Sequence, residues 1–106
     1  MPKYLFEANY TAEGAKAIIR EGGTARRTAV EKALAGLGGR LESFHFAFGG
    51  VDAYVIADLP DNVTAAAVAL AVSQSGVAST KTVVLLTCEE TDAATKKSVA
   101  YRPPGG

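Results

Sequence analysis

Arg40–Leu59 reads Arg-Leu-Glu-Ser-Phe-His-Phe-Ala-Phe-Gly-Gly-Val-Asp-Ala-Tyr-Val-Ile-Ala-Asp-Leu, and this stretch decides the fold. Its two halves alternate with the period of two that a β-strand imposes on its side chains. In Arg40–Phe48, Leu41, Ser43, His45 and Ala47 point one way, and Glu42, Phe44, Phe46 and Phe48 the other. In Val51–Leu59, Val51, Ala53, Val55, Ala57 and Leu59 form an apolar face, opposite Asp52, Tyr54, Ile56 and Asp58. Gly49-Gly50 between them marks a tight turn, where glycine tolerates positive φ. The stretch is therefore expected to be an antiparallel hairpin.

Toward the N-terminus, Lys3–Tyr10 is a further strand, with Tyr4, Phe6, Ala8 and Tyr10 on one face and Leu5, Glu7 and Asn9 on the other. Thr11 is placed to cap a short helix over Ala12–Arg20, and Gly22-Gly23 breaks it. Thr24 can cap a second helix from about Ala25 to Leu37. Ala29, Val30, Ala33, Leu34 and Leu37 make its core-facing stripe, with Arg26, Arg27, Glu31 and Lys32 largely off it. Gly38-Gly39 supplies a left-handed C-cap.

Toward the C-terminus, Pro60 stops the hairpin, and Asp61 or Asn62 caps a helix running to about Ser75. That helix is rich in Ala, Val and Leu and is expected to be substantially buried. Gly76 ends it. Ser79–Cys88 is the fourth strand, apolar on both faces near its middle and so expected to be covered on both sides. The character changes after Glu89. Thr91–Val99 has room for one or two helical turns, and Ala100–Gly106 cannot continue a helix far, because it closes on two prolines and two glycines. The division expected is a domain over residues 1–90 and an extension or docking tail over 91–106.

The order strand, helices, strand, strand, helix, strand is a ferredoxin-like βαββαβ arrangement, an α+β fold with helices on one face of a four-stranded antiparallel sheet. The other face carries more apolar residues than a water-facing sheet should. Two copies packed sheet to sheet would cover it.

Composition narrows the function. The 106 residues carry 11 Lys+Arg against 11 Asp+Glu and are 48% hydrophobic. Zero net charge lacks the basic footprint of nucleic-acid binders and polybasic membrane anchors. The longest uncharged run, Val63–Thr80, is too polar for a membrane span. No secretion signal is visible, so a cytoplasmic protein is the expectation. One cysteine allows no internal disulfide, and one histidine beside it makes a metal or iron–sulfur site improbable. No cofactor is implied.

Two stretches carry a family resemblance: Met1–Gly14, which contains Tyr10-Thr11 and then Gly14, and Ala33–Ile56, with its Gly38-Gly39 helix end and its Gly50-Val51-Asp52 hairpin. Together they resemble the GYD-domain family. Gly50 and Asp52 match the family's Gly-Tyr-Asp hairpin, and Val51 stands where its tyrosine would be. The resemblance covers the chain to about the end of the fourth strand. It implies a dimeric ferredoxin-like α+β barrel and no particular reaction.

The candidate site residues are His45, Asp52 and Tyr54. His45 is the only imidazole and can act as a general base or proton carrier, or be a satisfied structural histidine. A two-residue turn would set His45 opposite Tyr54 and Ala47 opposite Asp52, all on one face. Asp52 suits a backbone-capping role at the turn and, alternatively, substrate orientation beside Tyr54. Ser43 lies about 7 Å along the strand from His45, too far for a nucleophile–base pair. A metal site of His45, Asp52 and Glu42 is disfavoured because Glu42 falls on the other strand face. Tyr4, Phe6 and Tyr10 read as core or interface. Arg20, Arg26 and Arg27 read as a solvated helix surface, and Cys88 as a buried inert thiol. The Tyr101–Pro104 segment can anchor the tail on a neighbouring copy.

The function expected is a small homo-oligomeric α+β barrel protein that binds a small, mainly apolar molecule between sheet and helices, or serves as an assembly or regulatory module. The alternative is a cofactor-free enzyme of the monooxygenase or isomerase type, in which His45 transfers the proton and Asp52 and Tyr54 orient the substrate. That alternative rests on likeness of architecture alone.

Overall fold

The computed structural model describes residues 1–106. It contains β1 (Lys3–Tyr10), α1 (Ala12–Glu21), α2 (Gly23–Gly36), β2 (Arg40–Phe46), β3 (Ala53–Asp58), α3 (Asn62–Ser75), β4 (Ala78–Leu85) and α4 (Cys88–Thr95). The four strands form one sheet in the order β2-β3-β1-β4, antiparallel throughout. The expected α+β ferredoxin-like arrangement is present.

The hairpin keeps the expected register: His45 pairs with Tyr54, and the Ala47 amide donates to the Asp52 carbonyl at 2.8 Å. The reversal itself is wider than a two-residue turn, because β2 stops at Phe46 and β3 starts at Ala53. The bend is spread over the residues between, so neither Gly49 nor Gly50 needs positive φ, and neither has it. A second difference lies at the start of β2. A bulge between Leu41 and Ser43 adds one residue to that strand. It moves Leu41 from His45's face to the core side, where it packs, like Phe44, against the core cluster. It also swings Glu42 to the opposite face, where it pairs with Lys3.

The inner sheet face holds the core: Tyr4, Phe6, Val55, Ala57 and Leu59 against Leu34 of α2 and Ala65 of α3. Period-two alternation puts Tyr4 and Phe6 of the central strand β1 on this face, 1% and 4% exposed. The Tyr4 hydroxyl crosses the core to donate to Asn62 Oδ1 at 2.6 Å, at the start of α3. Asp61 caps that helix by accepting from the Thr64 amide at 2.8 Å.

The expected Thr11 cap forms at α1, and it does more than cap. Thr11 Oγ1 accepts from the Gly14 amide at 3.2 Å and donates to the Gly76 carbonyl at 2.8 Å. This pins the start of α1 to the α3–β4 junction. The approach is so close that a Cβ on Gly14 would lie 2.0 Å from the Val77 carbonyl oxygen. At α2 the helix starts two residues earlier than expected, with Gly22 at φ 85° as its N-cap and no side-chain cap at Thr24.

Three burial expectations are corrected. In α3 only Ala65 is buried, while Val63 and Leu70 are 79% and 71% exposed. The helix is apolar all round, but the sheet offers one face to pack against. Strand β4 is an edge strand, and Thr82, Val83 and Val84 are exposed rather than covered on both sides. Cys88 is exposed, because β4 ends at Leu85 and Cys88 opens α4 instead of closing a strand.

The change of character expected after residue 90 falls inside α4. That helix opens on a capping box in which Thr87 Oγ1 accepts from the Glu90 amide at 3.0 Å and Glu90 Oε1 accepts from the Thr87 amide at 2.9 Å. Every residue from Leu86 to Gly106 is exposed, so α4 and the tail form a projecting arm. The radius of gyration is 16.8 Å, against about 13 Å for a compact chain of this length.

Candidate functional site

The antiparallel registers set His45, Tyr54, Glu7 and Lys81 in one row across β2, β3, β1 and β4. Alternation places this row on the outer sheet face, away from the helices. His45 is exposed and Tyr54 is 39% exposed. The sheet thus brings two of the three candidate residues side by side. Glu7 and Lys81, which join them, carried no signal in sequence because pairing across strands is not local. A neighbouring row, Ile56, Leu5 and Val83, is apolar.

Asp52 stands apart from that row in what it does. Its Oδ2 accepts from the Tyr10 amide at 2.9 Å, and its own amide donates to the Ala8 carbonyl at 2.9 Å and to Asn9 Oδ1 at 3.1 Å. These bonds continue the β1–β3 ladder beyond the last strand pair, so Asp52 ties the hairpin to the end of β1. Glu42 is drawn instead into a charged group at the other end of the sheet. Lys3 Nζ bonds Glu42 and, at 2.9 Å, Asp58 Oδ1, and Arg40 reaches Asp58 Oδ2 at 3.3 Å. The Lys3 ammonium, chiefly, holds the Asp58 carboxyl below its ordinary range. No cluster of three or more His, Cys, Asp or Glu side chains is arranged to hold a metal ion.

The most apolar of the narrow clefts lies on the inner face. Between the sheet and helices α2 and α3 is a cleft of about 60 Å³ lined by Phe6, Ala8, Tyr10, Arg26, Val30, Leu34, Phe44, Val55, Val68, Val72, Ala78 and Thr80. Above it, the groove between α2 and α3 is lined by Arg26, Ala29, Val30, Ala33, Leu34, Val68 and Val72, most of them too short to close the gap. Its polar groups are few. The Arg26 guanidinium sits beside the Tyr10 hydroxyl, and burial pushes that phenol above its ordinary value despite the opposing effect of Arg26. Thr80 Oγ1, in the wall, is buried and has no hydrogen-bond partner.

Arg26 was expected on a solvated surface. It lies four residues before Val30 and eight before Leu34, so helical geometry stacks all three on the cleft-facing side. That spacing was the available signal, outweighed in sequence by charge. Ala29 and Ala33, assigned to the core stripe, are exposed on the groove between the helices.

The family described as GYD domain matches residues 4–95. The chain belongs to the GYD-domain family. The hairpin that resembles the family's Gly-Tyr-Asp is Gly50-Val51-Asp52, and its aspartate is the residue that binds the Tyr10 amide. The Gly14 that follows Tyr10-Thr11 is the residue against which Val77 packs. No curated protein and no solved structure matches the chain.

Proposed function

We propose that this GYD-domain protein self-associates and binds a small, mainly apolar molecule in the cleft between sheet and helices. The observation that carries the binding reading is the cleft itself: an apolar concavity with a few convergent polar groups is the form small-molecule sites take. At about 60 Å³ it has room for some four to six water-sized groups, so the occupant is small. Titration with pentan-1-ol, followed by amide NMR shifts, tests this. Saturable changes at Ala8, Ala78 and Thr80 are expected. Their absence up to the solubility of the alcohol overturns the reading.

Self-association is supported by surface area. The accessible surface is 7248 Å², whereas a compact monomer of this mass exposes roughly 5,600 Å². The surplus lies on the outer sheet face, on β4 and on the arm from Leu86 to Gly106. A second copy covering the Leu5, Ile56 and Val83 row would bury apolar surface without charge repulsion, since the chain is neutral. Sedimentation equilibrium is expected to give a dimer or larger species, and Val83→Lys to shift it toward monomer. A wild-type chain that stays monomeric as concentration rises sinks this part.

A second reading, a cofactor-free proton-transfer enzyme built on His45, draws on the His45–Tyr54–Glu7–Lys81 row. It puts the chemistry on the side of the sheet opposite the cleft. His45→Ala should then leave pentan-1-ol binding unchanged, whichever reading holds.

A further inference from the structure

We infer that the cleft takes a short aliphatic monocarboxylate, its chain among Phe6, Val30, Leu34 and Val55 and its carboxylate held by Arg26 and Tyr10. This rests on the cleft being a binding site and adds the charge and shape of its ligand.

The first argument is charge. Arg26 is the only charged residue lining the cleft, and it is a cation. It is half-buried and forms no ion pair. The arginine beside it in sequence, Arg27, pairs with Glu31 at 3.6 Å, and Arg40 pairs with Asp58. Glu21 shares a neighbouring depression with Arg26 but makes no ion pair with it. Half-burial of a guanidinium without an anion costs free energy, and a bound anion offsets that cost.

The second argument is hydrogen bonding. Thr80 Oγ1 is the one buried side-chain polar atom in the molecule left without a partner, and Thr80 is a lining residue of this cleft. Buried hydroxyls are almost always satisfied, so an orphan in a concavity points to a missing group. Tyr10 adds a phenol that burial keeps protonated and therefore a donor. A guanidinium fork beside a phenol hydroxyl matches the two oxygens of a carboxylate. One cation and no further positive side chain suit a single negative charge, not a phosphate dianion.

The third argument is size. The other lining residues are apolar, and the cleft volume of about 60 Å³ falls far short of the roughly 300 Å³ at which drug-sized sites begin. A chain of a few carbons fits where a ring system does not.

The test compares pentanoate with pentan-1-ol, which has the same chain and no charge, by amide NMR titration of the full chain. Pentanoate is expected to bind at least about tenfold more tightly, the effect of one charge-assisted contact. Arg26→Gln should weaken pentanoate more than pentan-1-ol and so remove that preference. Thr80→Val should weaken pentanoate more than the alcohol. Equal affinity of the wild type for both probes, or an Arg26→Gln protein that keeps the preference, overturns the carboxylate assignment and leaves the cleft standing. Binding of neither probe overturns both. The wild-type comparison needs no variant, and Arg26→Lys, which keeps the charge, is expected to retain part of the preference if Arg26→Gln does not fold.

Discussion

The Tyr10 amide donates to Asp52 Oδ2 at 2.9 Å, across 42 residues of sequence. One end of this bond belongs to the Gly50-Val51-Asp52 hairpin, and the other to a residue whose ring lines the cleft. The hairpin that marks the family thereby holds a wall of the candidate site in place. Asp52→Ala leaves a backbone donor unsatisfied and should cost about 1–3 kcal/mol in chemical denaturation. Asp52→Asn keeps an acceptor oxygen and should cost clearly less. An equal loss in both variants would show that the charge, not the bond, matters.

Gly14 and Gly36 make a matched pair of substitutions. A Cβ at Gly14 meets the Val77 carbonyl at 2.0 Å, and one at Gly36 meets nothing within 4 Å. Gly14→Ala should destabilise by about 2–3 kcal/mol or more, since backbone must move to admit it. Gly36→Ala should instead stabilise by about 0.5 kcal/mol, by restricting the unfolded chain. Thermal melts of the two proteins check both signs.

The Lys3–Asp58–Arg40 group gives a pH signature. The Asp58 carboxyl is held low, first by its bond to Lys3 and further by Arg40, and the Lys3 ammonium is held high, first by Glu42 and then by Asp58. A depressed carboxyl contributes stability above its unfolded value, near 3.9, and loses it as pH falls through the folded value. A raised ammonium contributes below its ordinary 10.5 and loses that contribution as pH rises through the folded value. Asp58→Asn should therefore flatten the acid limb of the stability profile below about pH 4. Near neutrality it should be less stable than the wild type. An unchanged acid limb would remove Asp58 from the account.

Leu34 is 2% exposed and serves both core and cleft. Leu34→Ala should cost about 2–5 kcal/mol and enlarge the cleft. If the protein stays folded, it should favour octan-1-ol over pentan-1-ol more than the wild type does, read by the same amide shifts. A variant destabilised to this extent with no gain for the longer chain would mean that the helices had collapsed into the space.

Short-range signals are legible in the sequence. The β1 alternation groups Tyr4 and Phe6 on one face, Thr11 and either Asp61 or Asn62 are the cap candidates, and Gly22, Gly38 and Gly76 sit at helix ends with positive φ. Each depends on residues within a few positions of one another. The β2 bulge was not legible, because an extra residue in one strand shows only against its partner. It reversed the faces assigned to Leu41 and Glu42. Cys88 and β4 were misjudged for a related reason. Apolar content says that a segment can be buried, and only the strand order says whether anything lies there to bury it.

By itself the sequence determined the order of elements from β1 to β4, the hairpin register next to its turn and the class of fold, since periodicity, caps and breakers act along the chain. Only the tertiary structure decided the site. It took Arg26 from an expected surface to the cleft, set Glu7 and Lys81 in line with His45 and Tyr54, and gave Asp52 to the Tyr10 amide. These are contacts between residues far apart in sequence. Which of them form depends on how strands are ordered and how closely short side chains let the helices approach the sheet.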